Sequence, residues 1–278
     1  MTPYELMIKT NNYMIKGGIF TDEQKKNILG RFLSVINRQD EAARFYRAVK
    51  FPNNIDGTGR RMYPLFYLPP YNEGRKFQTV MTVLPKTHIL SANSYELEIL
   101  RILFLLAPQN LLVKEMVAQT LERLKTTCFG NQDDGVGECF ETSLIVLRFL
   151  AATAPDETTW INERIDNFHR YYGQKHRHCG VKWYYWLCLS ELPIEIAKPE
   201  ILKYRNEIMS QLNRSCVMNS DFDKAIHPMI ICMIRNLLAR LPEYEYIKER
   251  KPYIDEKDGR LHFDMTNAES IKNALQAI

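Results

Sequence analysis

Two kinds of helix alternate along this chain, and the alternation limits what it can fold into. Segments 95–107, 140–154, 181–192 and 225–241 are apolar nearly all round. The segments between them carry one apolar stripe each: Met116, Thr120, Leu121 and Leu124, then Ile161, Ile165, Phe168 and Tyr172, then Ile201, Ile208 and Leu212. Spacings of three, four and seven residues put each stripe on one helix face. A helix that is apolar on every side must be covered on every side, whereas a one-striped helix turns its other side to water. The pattern therefore predicts inner helices sheathed by outer ones, an all-α array of antiparallel helical hairpins.

Each apolar segment is followed by a proline: Pro108, Pro155, Pro193 and Pro242, at spacings of 47, 38 and 49 residues. Proline has no N–H and disfavours helical geometry in the residue before it, so these positions read as helix stops. The spacings suit helix-pair repeats, although no residue-by-residue consensus links one pair to the next. Residues 1–50 add helices at 3–15, 22–36 and 40–49, the second opened by the capping box Thr21-Asp-Glu-Gln24. Residues 51–92 change character. Eight Pro and Gly residues from Pro52 to Pro85 exclude a long helix. Segments 62–68 and 77–84 are aromatic or β-branched enough for short extended pieces, and a connection of this length suits a lid. The helical core is expected over 93–250. Residues 251–278 read as a small β-hairpin turning at Asp258-Gly259, followed by a final helix capped from Thr266.

Apolar residues make up 45% of the 278 and charged residues 25%, enough to build a sizeable core and too apolar for a disordered chain. The net charge of +4 is too weak to imply a nucleic-acid partner. No apolar run approaches the ~20 residues of a membrane span, and the first residues lack the basic-then-apolar pattern of a secretion signal. Six scattered cysteines without a Cys-x-x-Cys pair read as reduced thiols, so a cytoplasmic location is expected.

Residues capable of chemistry gather just before the inner helices. His88, His176, His178 and His227 lie there, with Asp133, Asp134, Glu138, Cys139, Glu141, Cys179, Asp221 and Asp223. If outer helices return the chain to its starting end, the inner helices run parallel and their N-termini share one end, where positive dipole ends favour anions. Two chemistries fit. Asp134, Glu138, His178 and His227 could serve as general acids and bases, since clustered carboxylates separate their proton affinities. Asp133 or Asp134, Cys179 or His178, and His227 could hold zinc, which takes carboxylate, thiolate and imidazole ligands. Polar connections and helix caps account for the same residues without any chemistry. The basic and aromatic stretch from His169 to Trp183 offers little to nucleic acid, because its aromatics from Trp183 onward belong to a core helix.

Asp133-Asp-Gly-Val-Gly-Glu138 followed by Glu141-Thr-Ser-Leu-Ile-Val-Leu-Arg-Phe-Leu150 resembles a repeat of the α/α-toroid proteins, which include terpenoid cyclases and protein prenyltransferase β subunits. The resemblance implies a Gly-rich acidic turn before an inner helix and, in some members, zinc held by Asp, Cys and His at the toroid mouth. It does not imply terpenoid chemistry, because no Asp-x-Asp-Asp cluster is present. Two functions are left open: a small-ligand or catalytic pocket at the inner-helix N-termini, and a helical-repeat scaffold for a protein partner.

Overall fold

Strand is almost absent from the computed structural model, which describes residues 1–36, 76–125, 127–130, 139–173 and 179–267. The expected helices at 40–49 and after Thr266, and the extended piece at 62–68, lie outside the described residues. No helix among the described residues is long and apolar enough to cross a membrane. The chain divides into two compact units, Met1–Asn12 with Ile19–Glu191, and Tyr13–Gly18 with Leu192–Ile278.

The first unit contains most of α1 (Pro3–Ile15), then α2 (Asp22–Leu33), α3 (His88–Leu106), α4 (Leu111–Leu124), α5 (Phe140–Thr153), α6 (Thr158–Tyr171) and α7 (Cys179–Glu191). Inner and outer roles follow the apolar pattern. Helix α4 buries only Val113, Met116, Val117, Thr120 and Leu124, whereas α5 buries every residue from Thr142 to Leu150. Helix α5 packs against α3, α6 and α7, and α3 also packs against α2 and α4. Two of the helix stops act as the prolines require. Ala107 and Ala154, immediately before Pro108 and Pro155, leave the helical region at φ −143° and −150°.

Two expectations need correction. Helix α3 begins at His88 rather than near residue 95, because the Thr87 hydroxyl accepts from the Leu90 N–H and caps it. Thr87→Ala is expected to cost about 1 kcal/mol, read as a lower urea midpoint with an unchanged slope. Residues 77–84 form a tight turn instead of a strand. The Thr79 N–H donates to the Val83 carbonyl at 2.8 Å, Val83 N–H donates to the Thr79 hydroxyl at 3.1 Å, and Thr82 takes φ +63°. Val80, Met81 and Val83 are buried. The β-branched Val80 and Val83 are thus used as core filling. Ser91 on α3 holds this turn by bonding to both the N–H and the carbonyl of Phe77, at 2.7 and 3.1 Å.

The second unit pairs α8 (Ile194–Leu212) with α9 (Asp221–Leu238), followed by a 3₁₀ helix (Pro242–Ile247). Ile201, Ile208 and Leu212 are fully buried along the α8 stripe. Ser220 and Asp223 form a capping box that starts α9 ahead of the expected residue 225, and Pro228 lies within the helix. Strands β1 (Tyr253–Ile254) and β2 (Leu261–His262) pair antiparallel. The connection between them runs over residues 255–260, where the Gly259 N–H donates to the Asp255 carbonyl at 2.8 Å and Gly259 takes φ +66°, so it is longer than a turn at Asp258-Gly259 alone.

Candidate functional site

Polar side chains join the three inner helices of the first unit along a buried seam. Helix α3 supplies Ser94, Glu98 and Arg101, which share a face at spacings of four and three. Helix α7 supplies Tyr184, Cys188 and Glu191 at the same spacings, and α5 supplies Thr142 and Arg148. The links rise in step along all three helices. Ser94 and Thr142 hydroxyls lie 3.4 Å apart, Glu98 meets Arg148 at 2.9 Å, and Arg101 meets Glu191 at 2.6 Å. Between α5 and α7, the Cys188 thiol donates to the Leu144 carbonyl at 3.3 Å and Arg148 meets Glu191 at 2.8 Å. Because later residues pair with later residues throughout, α3, α5 and α7 run in the same direction, and their N-termini lie at one end of the unit.

At the deeper level the seam is an ion quartet of two carboxylates and two guanidiniums. Arg148 is fully buried and uses all three of its nitrogens. Nε and Nη2 fork onto Glu191 at 2.9 and 2.8 Å, while Nη1 donates to both oxygens of Glu98 at 2.9 and 3.1 Å. The Tyr184 hydroxyl donates to Glu98 as well. Arg101 also reaches the Asn11 carbonyl oxygen of its side chain at 3.4 Å, and Asn11 donates to the Met7 carbonyl. Burial opposes charge on Glu191, but Arg101 and Arg148 beside it prevail and hold its carboxyl below the usual range. Burial and the Glu98 charge push the Tyr184 phenol well up, and burial does the same to the Cys188 thiol. Tyr184 is therefore a hydrogen-bond donor and Cys188 stays a protonated thiol. Each charge in this layer is paired with an opposite one, although the buried Arg101 Nε has no partner, so the layer clamps the helices.

The level nearer the N-termini is different. Ser94 meets Thr142, and the Arg164 guanidinium donates to Ser143 at 3.3 Å. Asn93, only 2% exposed, has no hydrogen-bond partner for its amide nitrogen or its amide oxygen. Buried polar groups are normally satisfied, and leaving one unpaired costs roughly 1–3 kcal/mol.

Of the residues singled out by sequence, Asp133, Asp134, Glu138 and His178 lie outside the described residues. Cys179 is exposed at the first position of α7 in the first unit. His227 lies on α9 in the second unit, with Nε2 3.9 Å from the Asp223 carboxylate and Nδ1 buried without a partner. Asp223 is committed to the capping box, and its bonds to Ser220 hold its carboxyl below the usual range. Among the described residues, the one group of His, Cys, Asp or Glu ligand atoms close enough for a shared metal is Asp255, Asp258 and His262. Sequence reasoning passed over it, although its spacings of three and four across a hairpin turn were readable. Its side chains already shape that turn. Asp255 accepts from the Lys257 N–H and Asp258 from the Arg260 N–H, both at 2.9 Å, while His262 bonds to Asp258 at 2.8 Å. Glu98 and Arg148 were also missed, because they sit inside segments read as apolar, and Asn93 because it falls just before one.

Compared with protein-family models, curated proteins and solved structures, the chain matches none.

Proposed function

We propose that this chain binds a small polar ligand at the N-terminal level of its inner helices, within a helical-hairpin array of α/α-toroid type. The parallel run of α3, α5 and α7 supports the arrangement, and Asn93 carries the reading of function. A buried amide with neither atom paired destabilises the ligand-free protein, and a ligand offering one acceptor and one donor would satisfy both atoms. The ion quartet below would keep that level rigid, which favours binding by limiting the ordering cost.

The test compares native and denatured masses of protein freshly purified from cells. The wild type is expected to carry a small-molecule adduct that Asn93→Leu loses. Because Leu removes two unpaired polar atoms at similar volume, the variant should match or exceed the melting temperature of the ligand-free wild type. A clean wild-type mass, or an adduct retained by the variant, would overturn the reading.

A protein-binding scaffold is the second reading, favoured by an apolar corner where α3 meets α4. Leu105, Leu111 and Leu112 are 39%, 81% and 48% exposed there. On that reading Leu111→Glu weakens partner binding and leaves any small-molecule adduct in place.

A further inference from the structure

The sulfur atoms of Cys128 and Cys139 lie 3.3 Å apart, and no other pair of cysteines is in contact among the described residues. Both sulfurs stand on anchored backbone. Cys128 belongs to the turn after α4. There the Thr127 hydroxyl donates to the Leu124 carbonyl at 3.0 Å and accepts from the Gly130 N–H at 3.2 Å, and the Trp160 indole N–H donates to the Gly130 carbonyl. A side chain at Gly130 would meet the Leu124 carbonyl oxygen at 2.2 Å, so the turn can pass this close only with glycine. Phe129, beside Cys128, is buried. Cys139 occupies the N-cap of α5, where its carbonyl accepts from the Ser143 N–H at 2.9 Å. Phe140, the next residue, packs against the Phe168 and Tyr171 rings at 6.2 and 6.0 Å. The approach of the two sulfurs is therefore set by fixed structure on both sides. Cys128 is exposed and Cys139 half-buried, so a small oxidant can reach them.

We propose that Cys128 and Cys139 form a redox-active dithiol that closes to a disulfide by exchange with a small-molecule disulfide such as glutathione disulfide. The thiolate of one cysteine attacks a sulfur of glutathione disulfide, forming a mixed disulfide and expelling one glutathione thiolate. The second cysteine then attacks the protein sulfur of that mixed disulfide and expels the second glutathione. The two protons lost by the cysteines end on the two glutathione thiols, and the two electrons reduce the glutathione disulfide. A helix N-terminus favours a thiolate, which suits Cys139 for either attack. The other thiols lack this arrangement. Cys188 and Cys232 are buried, burial raises the proton affinity of both, and it does the same to half-buried Cys216. Cys179 is exposed without a neighbouring cysteine and serves as an internal reference.

Reduced full-length protein would be equilibrated with glutathione disulfide in a glutathione buffer, acid-quenched, alkylated and mapped by non-reducing peptide mass spectrometry. The Cys128 and Cys139 peptides are expected to be joined, with no glutathione on either, while Cys179 carries glutathione. The joined fraction should exceed the glutathionylated fraction of Cys179 by at least about tenfold, because the second exchange is intramolecular. Cys139→Ser should trap glutathione on Cys128, and Cys128→Ser should trap it on Cys139. Wild-type protein that accumulates glutathione on both residues, or that reacts at Cys179 while this pair stays reduced, would overturn the proposal. The wild-type map decides the matter even if a variant fails to fold.

Discussion

Arg148→Leu is expected to lose about 3–5 kcal/mol of stability, because it strands the buried Glu98 carboxylate without a counter-charge. Glu98, 2% exposed, would keep only the Tyr184 hydroxyl, and Glu191 would keep only Arg101. Domains of this kind are stable by roughly 5–15 kcal/mol in total, so the variant should sit close to the folding threshold. Arg148→Lys should recover little, since an ammonium cannot fork onto Glu191 and reach Glu98 together. The contrast lies in removing the partners as well. Glu98→Leu, Tyr184→Phe and Arg148→Leu combined leave no orphaned charge, because Glu191 still pairs with Arg101. Most of the stability should return in that triple variant, measured as the urea midpoint by circular dichroism. A triple variant no more stable than Arg148→Leu alone would show that Arg148 acts through something other than these charges.

The same quartet sets an acid limit. The Glu191 carboxyl is held below its ordinary value of 4.5 in the folded state. Its contribution to stability is therefore complete above that value and is lost as pH falls through the lower folded value. Glu191→Gln should flatten the dependence of the urea midpoint on pH below about 4.5 and leave its dependence near neutrality unchanged.

What could be read from the sequence and what could not divides along local and non-local physics. Pro108 and Pro155 act on the residue before them, so Ala107 and Ala154 were placed without knowledge of any neighbour. The Thr21-Gln24 capping box is likewise decided within four residues, and it forms. The seam was hidden because its partners are 43 to 90 residues apart. Segment 95–107 was read by its apolar letters, yet Glu98 and Arg101 lie within it, as Arg148 and Glu191 lie within theirs. A charge inside a helix that must be covered on every side has to find an opposite charge on another such helix. That requirement, applied to these four residues, would have forecast the quartet. Residues 77–84 failed for the opposite reason. Val80 and Val83 carry strand propensity, but the Thr79 hydroxyl offers the Val83 N–H a nearer acceptor than any neighbouring strand.

Phe168→Ala is expected to cost about 3–5 kcal/mol, the usual range for emptying a fully buried aromatic site. Phe168 joins the outer helix α6 to two inner helices. Its ring stacks on Tyr185 of α7 at a centroid distance of 3.6 Å and an angle of 10°, on Tyr172 at 4.9 Å, and against Phe140 of α5 at 6.2 Å. No equally large apolar group stands ready to collapse into a space walled by rings. Phe168→Leu refills part of the volume and should regain more than half of the loss, so the pair of variants separates cavity formation from loss of ring stacking. The urea midpoint reads the stability, and near-ultraviolet circular dichroism reads the rings. The effect should also reach the thiols. Phe140 follows Cys139 and is held by Phe168 and Tyr171, so emptying the Phe168 site loosens the first turn of α5. Under conditions where Phe168→Ala remains folded, closure of Cys128 onto Cys139 should be slower than in wild type, with Phe168→Leu in between. Unchanged closure in folded Phe168→Ala would mean that contacts other than the Phe168 ring fix Phe140, and with it the separation of the two sulfurs.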